Sequence, residues 1–313
     1  MSTISSEEDA AVRRIFEPGS QWSGPGAVVE TLPGGAAHKN YLVRLPDRTC
    51  VVKIWNGFWE AMNVLPPADV ILSNTVCASR IGVGATVTAV CRDSSGIALE
   101  FLHGTQPSLA GDEDALEHLV PALRRLHTSG ERFARDLNPF VHVRTLLATA
   151  RERGFALPLG LPVIEKALDE IETVLDLRSA EFVPCHNDLW DANVILDESG
   201  YRLIDWDLAG NTDPAYELGF VAAYNGFDRD RTQTLTTRYY DTDDPHLLAR
   251  VRLFMIVAHW SNSALWIISQ GNAGPNDDFD YTGELAQSWT GVLTELLAPD
   301  YRAHLTLARR PSP

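Results

Sequence analysis

"CHNDLWDANVIL", residues 185–196, sets His186, Asp188 and Asn193 within eight positions, just ahead of a short apolar run. The overlapping segment "NVILDESGYRLIDWD", 193–207, reads as two short strands around the turn residues 197–200. An antiparallel hairpin folds its ends together, so Asn193 and Asp205 are predicted neighbours. An amide oxygen beside a carboxylate, with no histidine or cysteine converging on it, suits a hard, oxygen-seeking ion such as Mg2+. Asp188 lies in the loop before Asn193, within reach of a substrate hydroxyl whose proton it would accept. Base, metal amide and metal carboxylate in that order make a phosphoryl-transfer constellation. A lone HxD carries little, because a buried Asp or His more often caps a helix or satisfies a core polar group. The ordered set followed by a hairpin is far more specific.

A phosphoryl donor needs its own cradle. "LPGGAAHKNYLVRL", 32–45, places Gly34 and Gly35 between two strands, where backbone can approach phosphates without side-chain obstruction. Lys53, in "VVKIW", follows on an alternating strand that can aim its ammonium at the α- and β-phosphates of ATP. An isolated strand lysine ordinarily belongs to a solvated face. Its place between a glycine loop and the base and metal ligands argues otherwise.

Working outward, the chain has two textures. A first helix is expected over residues 5–16. "AVVETL", "NYLVRL", "CVVKIW", "TVTAVC" and "IALEFL" then read as strands, with one helix in "DVILSNTVCASRIG". From residue 112 the pattern is helical: "EDALEHLVPALRRLH", "NPFVHVRTLLATARERG" with Asn138 as cap and Pro139 in the first turn, then "VIEKALDEIETVLDL". The expected fold is α+β and two-lobed, protein-kinase-like. Residues 1–102 form a small antiparallel-sheet nucleotide lobe, 103–111 a hinge, and 112–313 a larger, mainly helical catalytic and substrate lobe.

Composition excludes several classes. A formal charge of -16, from 26 basic and 42 acidic residues, repels nucleic acid and favours a small cationic acceptor. "LFMIVAHWSNSALWIISQ" has the length of a membrane span, but His259, Asn262, three serines and Gln270 interrupt it, so it reads as a buried helix. The polar, acidic N-terminus is unlike a signal peptide. Cys50, Cys77, Cys91 and Cys185 show no CxxC spacing, which speaks against a zinc site or disulfide framework and fits a reducing cytoplasm.

The chain resembles the aminoglycoside phosphotransferase-like kinases, and within them the choline and ethanolamine kinase branch, over residues 27–290. "GGAAHKNYLV" is similar to the branch's GGxTNxNYxV loop, "HNDLWDANVIL" to its HNDxxxxNIL signature and "LIDWD" to its IDFE or IDWE. "LRRLH", "DPAYELG", "ALWIISQ" and "FDY" also resemble family segments. The resemblance implies an ATP- and Mg2+-dependent kinase with Asp188 as base, Asn193 and Asp205 as metal ligands and Lys53 on the phosphates. It further implies backbone contacts from Glu100, Phe101 and Leu102 to adenine, and structural roles for His186 and Asp213. Ala37 and His38 replace the loop's usual Thr-Asn pair. Ile71 falls where an acid would pair with Lys53, leaving Asp69, Asn74 or Glu60 as stand-ins.

The acceptor is expected to be choline or ethanolamine, held by aromatic faces and carboxylates. Trp266 matches one of the two tryptophans on the choline kinase helix, while Ser263 replaces the other and Trp260 lies about 120° away. Trp190, Tyr224 and Tyr216 are candidates to complete the aromatic set, and Asp191, Asp207 or Asp280 to receive an N–H. An aminoglycoside or sugar kinase is the alternative enzyme, and a catalytically inactive kinase-fold binding module the alternative of another class.

Overall fold

The computed structural model describes residues 10, 12, 27–32, 37–91, 95–177, 181–273 and 279–309. Of the predicted first helix only Ala10 and Val12 are described, both helical. The Gly34–Gly35 loop lies outside the described residues. Five antiparallel strands follow: β1 (Val28–Thr31), β2 (Lys39–Arg44), β3 (Thr49–Ile54), β4 (Val87–Val90) and β5 (Gly96–Glu100), in the order β1-β2-β3-β5-β4. The alternation within "TCVVKI" decides what each face of the central strand does. Cys50, Val52 and Ile54 point into a cluster with Tyr41, Val43, Ala98 and Val12. Lys53 therefore points to the opposite face, toward the C-terminal half.

Between β3 and β4 lie a short turn of helix, α1 (Phe58–Ala61), and α2 (Ala68–Ile81). Ile71, Asn74, Thr75 and Ala78 recur at helical spacing and are all buried. Gly82, at φ +81, ends α2 in the left-handed conformation. Asn74 ties α2 to the C-terminal half: its amide donates to Ala209 O (2.9 Å) and its oxygen accepts from Ala134 N–H (2.8 Å).

The C-terminal half comprises α3 (Ala115–His127), α4 (Pro139–Glu152), α5 (Leu161–Leu175), α6 (Pro214–Tyr224), α7 (Arg229–Tyr240), α8 (Pro245–Asn272), α9 (Tyr281–Leu296) and α10 (Tyr301–Leu307). Asn138 caps α4 by accepting from Phe140 and Val141 N–H, as its sequence signal predicts. The 28-residue α8, about 42 Å long, is the axis around which the others pack. By length and composition it could cross a membrane, but 83% of its most apolar window is buried inside the protein. Gly219 lets α6 approach it closely: a Cβ there would sit 2.9 Å from the Met255 nitrogen.

Two small sheets frame the decisive loop. β6 (Val183–Cys185) pairs with β9 (Gly210–Thr212), and β7 (Val194–Asp197) with β8 (Gly200–Leu203), the hairpin predicted from sequence. That hairpin also grips the strand half. Leu203 N–H donates to Val83 O (2.8 Å), and Thr105 and Leu196 exchange backbone hydrogen bonds of 3.1 and 2.8 Å. Arg202 reaches Gly84 O and, at 2.9 Å, Glu100 Oε1.

Candidate active site

With β6–β9 on one side and β7–β8 on the other, loops 186–193 and 204–209 face each other. His186 Nε2 lies 2.8 Å from Ile204 O, and a carbonyl only accepts, so this nitrogen carries the ring proton. The ring packs 4.5 Å from Trp206. Burial lowers the His186 pKa and keeps the ring neutral. His186 thus braces the two loops.

Asn187 adopts φ +66, a left-handed turn that Asn tolerates, and its amide donates to the carbonyls of Cys185, Leu208 and Gly210. Glu217, on α6, accepts the N–H groups of His186 (2.6 Å) and Asn187 (2.9 Å). Its other oxygen meets His127 Nε2 at the end of α3, and His127 Nδ1 lies 2.6 Å from the Tyr239 hydroxyl. Cys185 also borders this group. Both Glu217 oxygens already have donors, so the trio braces the loop. Sequence reasoning assigned Glu217 and His127 no such role, although "DPAYELG" and "LRRLH" each carry one of them.

Asn193 donates its amide to Asp188, at 2.8 Å to the backbone oxygen and 3.2 Å to Oδ2. Both contacts use nitrogen, so the Asn193 amide oxygen is left for something else. Ile204 N–H donates to Asn193 O at 3.0 Å, which brings Asp205 beside Asn193 as the hairpin predicts. Burial, then the charges of Asp205 and Asp207, raise the Asp188 pKa well above the usual carboxylate value.

Lys53 does not take the solvated face of an ordinary strand lysine: it is 8% exposed, and its Nζ sits 2.6 Å from both Asp205 Oδ1 and Asp207 Oδ1. Its partners thus come from the "LIDWD" segment; Ile71 is buried, and Asn74 is committed to backbone. Burial works against charge on Lys53, yet the two carboxylates outweigh it and raise its pKa. Asp205 is held low by the ammonium despite burial, and Asp207 is the carboxylate driven upward, by burial and by Asp205. The Lys53 ammonium already sits against Asp205 Oδ1, and a carboxylate together with the Asn193 amide oxygen makes a donor set that suits a hard divalent ion.

The remaining expected residues separate into groups. Asp213 caps α6 by accepting from Ala215 N–H (2.9 Å) and pairs with buried Arg250, a scaffold role. The backbone N–H of Glu100 donates to Thr86 O (2.8 Å) and that of Phe101 to Thr49 O (3.4 Å), so the two amides ahead of Leu102 are taken. Among the carboxylates considered for an acceptor, Asp207 faces Lys53 instead. Asp191 accepts from Leu109 N–H at 2.7 Å, and Asp280 caps α9 through Gly283 N–H at 2.9 Å. Trp190 is 38% exposed and meets Tyr224 edge to face at 5.6 Å, while Tyr216 is buried. Trp266 stacks on Phe279 (5.5 Å) and neighbours Tyr281 (6.2 Å), so "FDY" supplies the rings that Ser263 does not. Trp260 is fully buried in the core. Burial, Asp188 and Glu284 together raise the Tyr224 phenol pKa. Glu284 is a residue the sequence reading missed; its signal is a place in the first turn of the helix that "FDY" opens.

The sequence profile of the phosphotransferase enzyme family matches residues 28–254, from β1 into α8. The chain belongs to that family. This phosphotransferase is 24% identical over 191 residues to a protein LicA homolog of Mycoplasma capricolum subsp. capricolum, covering 61% of this chain and 74% of that one. It is 29% identical over 157 residues to a thiamine kinase of Salmonella typhi, spanning 50% of this chain and only 53% of that relative. In structure it resembles a choline/ethanolamine kinase family protein from Mesorhizobium loti, with TM-score 0.79, 17% identity and coverage of 97% and 99% of the two chains. Choline kinase LicA from Streptococcus pneumoniae gives TM-score 0.74 at 18% identity, with 93% and 100% covered. The two-lobed, protein-kinase-like α+β fold is therefore as the sequence predicts. The phosphotransferase is an ATP-dependent small-molecule kinase.

Proposed function

We propose that this kinase transfers the γ-phosphoryl group of ATP to the hydroxyl of a small cationic amino alcohol, of the choline or ethanolamine class. One observation carries the reading: Trp190, two residues beyond Asp188 and 38% exposed, meets the half-buried Tyr224 edge to face at 5.6 Å, and burial, Asp188 and Glu284 raise the Tyr224 phenol pKa. A cation entering there would lie on aromatic faces worth about 0.5–2 kcal/mol each. Its hydroxyl would point to Asp188, and an N–H to Glu284. Trp266, with Phe279 and Tyr281, would line the far side.

Asp188 accepts the hydroxyl proton as the oxygen attacks, and its raised pKa makes it a better acceptor. Asn193 holds that carboxylate in place through its amide nitrogen. Lys53 and the Gly34–Gly35 loop hold the phosphates, and the backbone of 100–102 the adenine, with Leu102 supplying the amide because those of Glu100 and Phe101 are taken. Mg2+ held by Asn193 and Asp205 would neutralise charge on the transferring phosphoryl group. Action in the cytoplasm would suit four buried cysteines that form no disulfide among the described residues.

A second cation fits the same aromatic faces: the thiamine named for the Salmonella relatives carries a flat cationic ring and a hydroxyl. The deciding experiment measures ATP consumption over choline, ethanolamine, N-methylated intermediates, thiamine, aminoglycosides and neutral sugars. Saturable turnover with the amino alcohols, ethanolamine at least matching choline, is the expected result. Turnover confined to a neutral sugar would overturn the proposal.

A further inference from the structure

Three departures from the family pattern meet at one place. Ile71 stands where α2 would carry an acid, His38 replaces an asparagine in the phosphate loop, and Asp207 replaces a glutamate after the metal carboxylate. Ile71, His38 and Trp55 line one small cavity. The other acids near α2 are no substitute: Asp69 turns back to its own neighbour's N–H at 2.9 Å, and Glu60 is exposed. Asp207, by contrast, lies 2.6 Å from Lys53 Nζ through Oδ1 and 3.4 Å from His38 Nε2 through Oδ2.

We propose that Asp207, braced by His38, is the permanent acid partner of Lys53, filling from the C-terminal half the role that α2 leaves empty, while Asp205 is the partner Lys53 gives up to the metal–nucleotide. The inference rests on the assignment of Lys53 to phosphate and Asp205 to metal. An ammonium has three donors, of which Asp205 and Asp207 use two. Once Asp205 turns to a divalent ion, a buried ammonium without a second carboxylate would be left uncompensated. Asp207 prevents that, with the His38 ring packed against its other oxygen. Asn56 N–H donates to His38 Nδ1 at 3.0 Å, so the proton of the neutral ring sits on Nε2, the atom facing Asp207. The 3.4 Å approach is close without being an aligned hydrogen bond. Trp55 closes the cage, 5.1 Å from the His38 ring and 5.7 Å from Lys53 Nζ.

A double-mutant cycle on Lys53→Met and Asp207→Asn tests the inference, read by calorimetric affinity for Mg·ADP and by KM for ATP. Asp207→Asn alone is expected to weaken Mg·ADP binding about 10- to 100-fold, the range of a charged hydrogen bond. The double variant is expected to bind no worse than Lys53→Met alone, because Asp207 acts only through the lysine. Asp207→Glu should recover most of the affinity, and His38→Ala should lose part of it. If Lys53→Met does not accumulate as folded protein, Lys53→Arg takes its place in the cycle. Losses that add in the double variant would overturn the role of Asp207 while leaving Lys53 on the phosphates, and would point to direct metal contact instead. Unchanged Mg·ADP affinity in the lysine variant would overturn the phosphate assignment itself.

Discussion

Glu217 accepts the backbone N–H of His186 at 2.6 Å, two residues ahead of the proposed base Asp188. The carboxylate is fully buried, and burial opposes its charge, but His127 and the loop amides hold its pKa low. Removing it leaves two buried N–H donors and the His127 ring unmatched. Glu217→Ala is therefore expected to cost about 3–5 kcal/mol in denaturant unfolding, with a fall in kcat greater than any rise in KM for ATP. Unfolding within about 0.5 kcal/mol of the parent, the range of ordinary surface substitutions, would contradict the bracing role.

Asp188→Asn removes the proton acceptor while preserving its shape and its amide neighbour. Turnover should drop by about 10² to 10⁴, with Mg·ADP affinity held. Asp205→Asn should instead shift the Mg2+ titration of nucleotide binding to higher concentration. Overlaid titrations would remove Asp205 from the metal site.

Lys53→Met carries a stability penalty, contrary to what a solvated strand lysine would show. The ammonium lies between two buried carboxylates, and its loss sets them against each other. The melting temperature should fall in metal-free buffer and recover in part when Mg2+ is added. An unchanged metal-free melt would mean that the cluster opens to water.

Acid should destabilise the fold through two histidines outside the site. Burial, aided in His142 by Arg135, lowers the pKa of His142 and of His259 to about 4. The unfolded chain takes up these protons below pH 6.5 and the folded one only near 4. Stability is therefore full above 6.5 and declines as pH falls toward 4, by up to about 1.4 kcal/mol per pH unit for each ring. Melting curves from pH 7 to 5 should show that decline, and His142→Gln with His259→Gln should lessen it, the remainder coming from His38, His186 and His304, whose pKa values burial also lowers. A flat parent profile would mean that both rings reach solvent.

At the acceptor end, Trp190→Ala should raise the acceptor KM and leave that for ATP nearly unchanged, because the ring would touch only the acceptor. Glu284→Gln should penalise ethanolamine more than choline, since only the former offers an N–H to a carboxylate. Equal effects on both amines would remove Glu284 from the site.

Strands, helices and the β7–β8 hairpin were legible because each rests on local signals: alternation in "CVVKIW", the cap and proline at 138–139, turn residues between two apolar runs. The residues gathered around Lys53 were not. The acid was sought near α2 by order along the chain, whereas Asp207 lies 154 positions away and meets the lysine only because β3 turns that face to the C-terminal half. Glu284 was invisible for the same reason. The aromatic set is broken at Ser263 along its own helix, yet Phe279, just ahead of α9, and Tyr281, its first residue, reach Trp266.

The grip of the β7–β8 hairpin has a mechanical consequence. Val83 and Thr105, on either side of β4 and β5, are both fastened to it, and Glu100 is fastened through Arg202. Gly104 passes so close that a Cβ would lie 2.2 Å from Leu196 O. Asn74 anchors α2 to the same half. The ends of the β4–β5 strand pair and α2 are therefore fastened as one unit to the hairpin whose ends carry Asn193 and Asp205, so a load on any one of them is shared by all.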